Sequence, residues 1–254
     1  MRTSRQFEAD RRSPRLWRRR SGERVELWTE AAGSLPPVYG ESWIERDGRR
    51  FRRFEPARSK LAAAVAAGWT GPLPRPGERW LYLGAASGTT ASHVADLVGP
   101  SGSVYAVERS VRPFARLLAT SERWPNLLPI LGDARDPAGY ADLVPVVEGL
   151  YADVAQPDQV EIVRRNAELL LSGDGAALLV ALKTASMGRE QSAIRHREGA
   201  ESTLAAGVDL EPAVRLDPFH RAHYLIGGTL RSGPGVVPGP VSRSRERPRG
   251  PRRQ

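Results

Sequence analysis

Between residues 80 and 183 short apolar runs alternate with amphipathic stretches, and this rhythm limits the possible folds more than any other feature of the chain. Trp80-Leu81-Tyr82-Leu83, Ser103-Val104-Tyr105-Ala106-Val107, Leu127-Leu128-Pro129-Ile130-Leu131, Gly149-Leu150-Tyr151-Ala152 and Ala176 to Leu182 read as strands. Helical patterns run from about Thr90 to Val98, Arg112 to Arg123 and Pro157 to Leu171. A further one, from Arg189 to Ala206, precedes strands near Val214 and at Tyr224-Leu225-Ile226-Gly227. Strands that are apolar throughout need cover on both faces, and the intervening helices supply it. The expected architecture is α/β, with a mostly parallel sheet. Pro129 cannot donate to a ladder, which places the third strand at an edge.

Ser59 reads as the N-cap of a helix that begins at Lys60 and ends near Gly68. Upstream, residues 24–57 mix short apolar runs with turn signals, and Asp47-Gly48 marks a hairpin, so a small N-terminal β-rich subdomain is expected. Residues 1–23 are rich in arginine and poor in apolar side chains, and read as a mobile basic arm. Residues 232–254 read as a disordered basic tail, which leaves 58–231 for the main domain.

The net charge of +9 points to a polyanionic partner, nucleic acid ahead of an anionic membrane surface. No apolar run approaches the roughly 20 residues of a bilayer span. The chain has no cysteine, which excludes disulfides and thiolate chemistry. Of its 38 basic residues only Lys60 and Lys183 are lysines. In a chain biased toward arginine, a lysine persists where a compact ammonium is needed.

Ligands of such sheets bind beyond the carboxyl ends of the strands. Gly84-Ala85-Ala86-Ser87-Gly88-Thr89-Thr90 follows the first strand, where small residues admit a ligand and a helix start favours an anionic group. Glu108 ends the second strand, suited to a ribose diol, with Arg109 beside it. Asp133 and Ala134 follow the third, where an acid can accept from an adenine amino group. Ala86 occupies the second glycine position of the dinucleotide fingerprint, which argues against a pyrophosphate and leaves room for an adenosyl amino acid. Asp153-Val154-Ala155-Gln156 ends the fourth strand, Lys183 ends the fifth, and His223 opens the last. An amine and a carboxylate at adjacent strand ends can orient a hydroxyl and stabilise its negative character.

These residues resemble fibrillarin. Leu81 to Thr90, Val104 to Glu108, Asp153-Val154-Ala155-Gln156-Pro157-Asp158-Gln159 and Arg58-Ser59-Lys60-Leu61-Ala62-Ala63-Ala64 look like its motifs, in order, over roughly residues 25 to 231. Val38-Tyr39-Gly40-Glu41 is similar to its N-terminal subdomain. The resemblance implies a Rossmann-like S-adenosylmethionine-dependent methyltransferase fold with a seven-stranded sheet. It also implies 2′-O-ribose methylation of rRNA or tRNA within a box C/D guide RNA–protein complex, with a Nop-type scaffold protein, a kink-turn-binding protein and RNA as partners. Lys60, Asp153, Lys183 and His223 are the implied catalytic set. Cofactor contacts are implied at Gly84, Ala85, Ser87, Thr89, Thr90, Glu108, Arg109, Asp133, Ala134, Asp153, Val154, Ala155 and Gln156, and no metal is implied.

Where the family usually shows Glu-Pro-Tyr-Glu-Arg-Asp-His, this chain has Asp217-Pro218-Phe219-His220-Arg221-Ala222-His223, and Thr184 replaces the usual alanine. A non-catalytic RNA-particle subunit of the same fold is the alternative that these departures keep open. Lacking a Gly/Arg/Phe-rich leader, the chain is expected to be of the archaeal, cytoplasmic type. His93 reads as structural. Trp28 and Trp43 read as packing residues rather than base-stacking platforms, and for Trp17 stacking stays open.

Overall fold

The computed structural model describes residues 7–21, 24–34, 37–184 and 190–231. The chain opens with β1 (Phe7–Asp10), β2 (Ser13–Ser21), β3 (Arg24–Glu30), β4 (Trp43–Arg46) and β5 (Arg49–Arg53). These form an antiparallel sheet in the order β1-β2-β3-β5-β4. Asp47 and Gly48 both take positive φ, 52° and 72°, at the hairpin joining β4 to β5, as the sequence expects.

The expectation of a mobile arm over 1–23 is corrected here: residues 7–21 are two strands of that sheet. Their arginines have specific partners. Arg12 donates to Asp10 and to the Gly71 carbonyl, and Arg18 reaches Asp10. Arg15 donates to the Asp96 carbonyl at 2.6 Å, satisfying one of the acceptors left open in a last helical turn. Leu16, Leu27 and Phe54 are buried in the same apolar cluster as Trp80 and Leu97, so the N-terminal sheet shares its core with the main domain. Each such side chain contributes about 1.5–3 kcal/mol of burial. The tail 232–254 and residues 1–6 lie outside the described residues.

The main domain follows as α1 (Lys60–Ala66), β6 (Arg79–Leu83), α2 (Thr89–Val98), β7 (Ser103–Glu108), α3 (Val111–Ser121), β8 (Leu127–Leu131), β9 (Gly149–Ala152), α4 (Gln159–Leu170), β10 (Ala177–Lys183), α5 (Glu190–Leu204), β11 (Val208–Leu210), β12 (Val214–Arg215) and β13 (His223–Leu230). Seven strands run in the order β11-β13-β10-β9-β6-β7-β8, and short β12 pairs with β13 outside that path. The ladders from β10 to β8 are parallel, while β13 is antiparallel to β10 and β11. β8, with Pro129, is the edge. One apolar layer, including Tyr82, Tyr151, Leu179 and Ala181, lies on the side of α1 and α2. The other, including Leu83, Ala152, Val180 and Ile162, faces α4 and α5. Strand β11 escapes the sequence reading because Val208-Asp209-Leu210 is too short to show a period.

Candidate functional site

The connection from β6 to α2 is built around two left-handed glycines. Gly84 has φ 79°, and a Cβ there would lie 2.6 Å from the Asp153 carbonyl oxygen, so the loop after β6 and the end of β9 meet only because this residue is glycine. Ala86 keeps a positive φ of 49° despite its side chain. Its N–H donates to Glu108 Oε2 at 2.9 Å, and the Ser110 N–H donates to Oε1 at 2.7 Å. The carboxylate ending β7 is thereby fixed in orientation with acceptor capacity to spare.

Beyond the strand ends lies a cleft lined by nine of the residues implied as cofactor contacts: Gly84, Glu108, Arg109, Asp133, Ala134, Asp153, Val154, Ala155 and Gln156. The sequence reading omits Ala86 and Ser110 from this lining, although their backbone groups hold Glu108. Four expected contacts lie outside it. Ala85 is buried in the core, Thr90 is buried against the Tyr82 hydroxyl, and the carbonyls of Ser87 and Thr89 accept from Thr120 and Ser92. The positive-φ residues Gly84 and Ala86 flank Ala85, whose side chain is buried in the core instead of facing the cleft. Arg135 fixes the far rim, bonding Asp158 through two nitrogens and the Gln156 side chain at 2.9 Å.

Four catalytic candidates converge beside this cleft. Ser59 caps α1, its side chain accepting the Ala62 N–H, and the helix thus begins at Lys60. Lys60 Nζ donates to both oxygens of Asp153, at 2.7 and 2.8 Å, with the two side chains about one-fifth exposed. The Asp153 N–H donates to the Leu83 carbonyl, continuing the β9 register beyond its last paired residue. Alternation from Tyr151 puts the Asp153 side chain on the α1 face of the sheet, and alternation from Ala181 puts Lys183 on the same face. Lys183 pairs across the ladder with His223. Lys183 is exposed, and no hydrogen bond or ion pair engages it among the described residues.

His223 is half-buried, and burial lowers its pKa. A hydrogen bond to the Arg221 carbonyl opposes the shift, nearby Lys60 reinforces it, and Asp153 opposes it. These influences place His223 within electrostatic reach of the Lys60–Asp153 pair. Gln159, not singled out by the sequence reading, donates from the first turn of α4 to the Ala181 carbonyl at 2.9 Å and anchors the end of β10.

His93 is structural, as expected: it is fully buried between Thr29 and Tyr39. Trp28 is buried and Trp17 stacks on Phe7 with ring centroids 4.9 Å apart, whereas Trp43 is 45% exposed and does not pack as expected. Among the described residues no His, Asp or Glu group is arranged to hold a metal ion, and no helix is long and apolar enough to cross a membrane.

The cleft fits an adenosyl amino acid, because the Glu108, Asp133 and Asp153 carboxylates line it at three strand ends beside the glycine-built loop. A parallel sheet with such a cleft at its carboxyl edge defines a Rossmann-like fold of the S-adenosylmethionine-dependent methyltransferase class. The family model for Fibrillarin matches residues 10–232, which includes most of the N-terminal sheet. The fibrillarin-like rRNA/tRNA 2′-O-methyltransferase of Aeropyrum pernix is 44% identical over 196 residues, 76% of this chain and 83% of that protein. The structure of Aeropyrum pernix fibrillarin with natively bound S-adenosyl-L-methionine superposes with a TM-score of 0.78 at 38% identity, covering 88% of this chain and 97% of that one. A fibrillarin in complex with Nop5p superposes with a TM-score of 0.72 at 36% identity, covering 82% and 94%. The chain belongs to the fibrillarin family.

Proposed function

We infer that this chain transfers a methyl group from S-adenosylmethionine to a ribose 2′-hydroxyl of rRNA or tRNA, as the catalytic subunit of a box C/D guide RNA–protein complex. The observation that carries this reading is the bidentate Lys60–Asp153 pair at the mouth of the cleft, with Lys183 and His223 on the same face of the sheet. When bound, S-adenosylmethionine supplies an already activated methyl group. The chain's own groups act on the hydroxyl. Held from behind by Lys60, Asp153 accepts a hydrogen bond from it and fixes its direction. Lys183 meets the developing negative charge as an unpaired cation at the end of β10. His223, shifted toward its neutral form, can take up the departing proton.

Glu108 and Asp133 hold the ribose diol and the adenine amino group of the cofactor in this reading. A Nop-type protein is the proposed scaffold, in keeping with the Nop5p-bound relative. A kink-turn-binding protein completes the proposed particle, and guide pairing selects the target.

The test is Lys183→Ala in the assembled particle. Ribose methylation is expected to vanish while calorimetry still detects cofactor binding. Full activity in the variant would reject the assigned roles, and loss of cofactor binding by the unmodified chain would favour a non-catalytic subunit. Methyl incorporation that survives ribonuclease treatment would reject RNA as substrate.

A further inference from the structure

The strands that carry Lys183 and His223 end at a turn tied down from two sides. Lys183 and His223 form the last rung of the β10–β13 ladder. The next residue, Thr184, is 1% exposed. Its N–H and its hydroxyl both donate to the Ala222 carbonyl, at 2.8 and 2.9 Å. Ala222 has φ 54°, a left-handed conformation that a Cβ disfavours and that persists only where the surroundings impose it. From the opposite side His220 Nε2 lies 2.8 Å from the Pro56 carbonyl and donates to it, four residues before Lys60. Backbone bonds from His220 to Leu216 and from Leu216 to His223 close the turn. It therefore links the end of β10 to the segment that enters α1. Thr184, His220 and Ala222 are also three of the positions at which the chain departs from the family's usual residues, and the fold makes two of them direct partners.

We propose that Thr184 and His220 are positioning residues for methyl transfer, clamping the 217–222 turn so that His223 and Lys183 stay aligned with the Lys60–Asp153 pair. The proposal rests on the catalytic reading above. Neither residue lines the cofactor cleft, so the clamp acts on turnover and leaves cofactor affinity alone. The Thr184 hydroxyl takes over as an anchor for a left-handed residue whose own side chain offers no hydrogen bond. This accounts for a hydroxyl-bearing side chain buried at the end of β10.

The experiment uses the full chain in its assembled guide-RNA particle. Thr184→Val keeps the side-chain shape and removes the donor, Thr184→Ser restores the donor, and His220→Phe removes the second tie while keeping a ring. Thr184→Val is expected to lower kcat about tenfold, the effect of one lost hydrogen bond, with cofactor Kd within about twofold of wild type. Thr184→Ser should recover most of the rate, and His220→Phe should show the same split between kcat and Kd.

A second readout needs no turnover: nuclear magnetic resonance titration of the His223 ring. The ring is faced by Lys60, Asp153 and His220 and is paired with Lys183. In Thr184→Val its midpoint should rise toward the ordinary imidazole value as the turn loosens. A particle that is inactive even as wild type would reject the methyltransferase reading, and the His223 titration would still judge the clamp. Wild-type kcat together with an unchanged titration would overturn the proposal. So would equal loss of kcat and cofactor affinity, or failure of serine to rescue.

Discussion

Arg52 Nη1 lies 2.8 Å from Asp96 Oδ2 with neither side chain exposed, and this contact fastens the antiparallel sheet to helix α2 of the parallel one. The surrounding polar atoms are well paired. Arg52 Nε donates to Glu41 at 2.8 Å, Asp96 accepts from Thr29, Trp124 and the Ala32 N–H, and Glu41 accepts from the N–H groups of Val38 and Tyr39. Trp124 stacks under the guanidinium at 4.3 Å.

Removing the cation from this cluster leaves two buried carboxylates without compensation. Arg52→Met, which fills similar volume, is expected to cost about 3–5 kcal/mol of folding stability. Denaturant unfolding checks the value. A loss below about 1 kcal/mol would mean that water reaches Glu41 and Asp96 and that the cluster is not sealed.

The same cluster makes the protein sensitive to acid. Thr29 Oγ1 lies 2.8 Å from His93 Nδ1 and the Tyr39 hydroxyl lies 3.0 Å from Nε2, so the buried ring sits between two neutral hydroxyls. Burial first, and the Arg52 charge second, hold His93 well below the ordinary 6.5. The unfolded chain therefore binds a proton that the native state refuses, and stability falls as pH drops below about 6.5, by up to about 1.4 kcal/mol per pH unit. Carboxylates add to this at lower pH. Burial raises Asp10, but its bonds from Arg12 and Arg18 outweigh this and bring it from 3.8 to about 2, so its contribution is lost between those values. Glu41 is held low in the same sense by Arg52 and the Tyr39 N–H against its burial. Chemical unfolding from pH 8 to 4 should show the decline. A His93→Gln variant should flatten the part just below 6.5, and an unchanged slope there would place the titrating group elsewhere.

This cluster is also where the sequence was least legible. Arg52 sits in Arg49-Arg50-Phe51-Arg52-Arg53, a run that reads as surface, and its partners Glu41 and Asp96 are far off in the chain. β2 is hidden for a related reason: Leu16 faces the core and Trp17 the opposite side, so neither face carries an apolar period among the arginines. In contrast, the parallel strands, the Ser59 cap, the Asp47-Gly48 hairpin and the Pro129 edge each follow from one local requirement that a single segment meets. The site was legible to the extent that strand ends announce it. Which residues of the Gly84 to Thr90 loop face the cleft depends on backbone φ at Gly84 and Ala86, and composition does not encode that. The ties from Thr184 and His220 involve residues distant in sequence and were equally invisible.

Glu108 receives two backbone N–H groups and faces the cleft while 8% exposed. Replacing it with glutamine keeps the shape but removes the charge and part of the acceptor capacity. If it holds a ribose diol, Glu108→Gln should weaken S-adenosylmethionine binding by about 10-fold to 100-fold, the equivalent of one or two charge-assisted hydrogen bonds. Calorimetry of the cofactor against the variant checks this, with S-adenosylhomocysteine as a second ligand bearing the same ribose. Equal affinity in wild type and variant would remove Glu108 from the cofactor site.

Gly84 couples the cofactor loop to the catalytic acid, since a Cβ would press on the Asp153 carbonyl at 2.6 Å and φ is 79°. Gly84→Ala is expected to cost about 1–3 kcal/mol of stability and to impair cofactor affinity and turnover together, because relief of the clash must shift either the loop or the end of β9. Thermal unfolding and calorimetry on one preparation test it. A stable variant with intact activity would show that the two segments separate easily.

Lys60 gives the sharpest test of the site, because its Nζ serves both Asp153 oxygens from a helix whose start is fixed by Ser59. Lys60→Met leaves the carboxylate without its cation and should lower single-turnover methylation by about 100-fold or more. Lys60→Arg restores the charge, yet a planar fork cannot take the place of a compact ammonium without displacing Asp153. Arginine is therefore expected to recover little of the rate. That outcome would explain why a chain with 38 basic residues, nearly all of them arginine, keeps a lysine here. Substantial rescue by arginine would instead mean that positive charge alone suffices, and that the bidentate geometry at Asp153 is incidental to turnover.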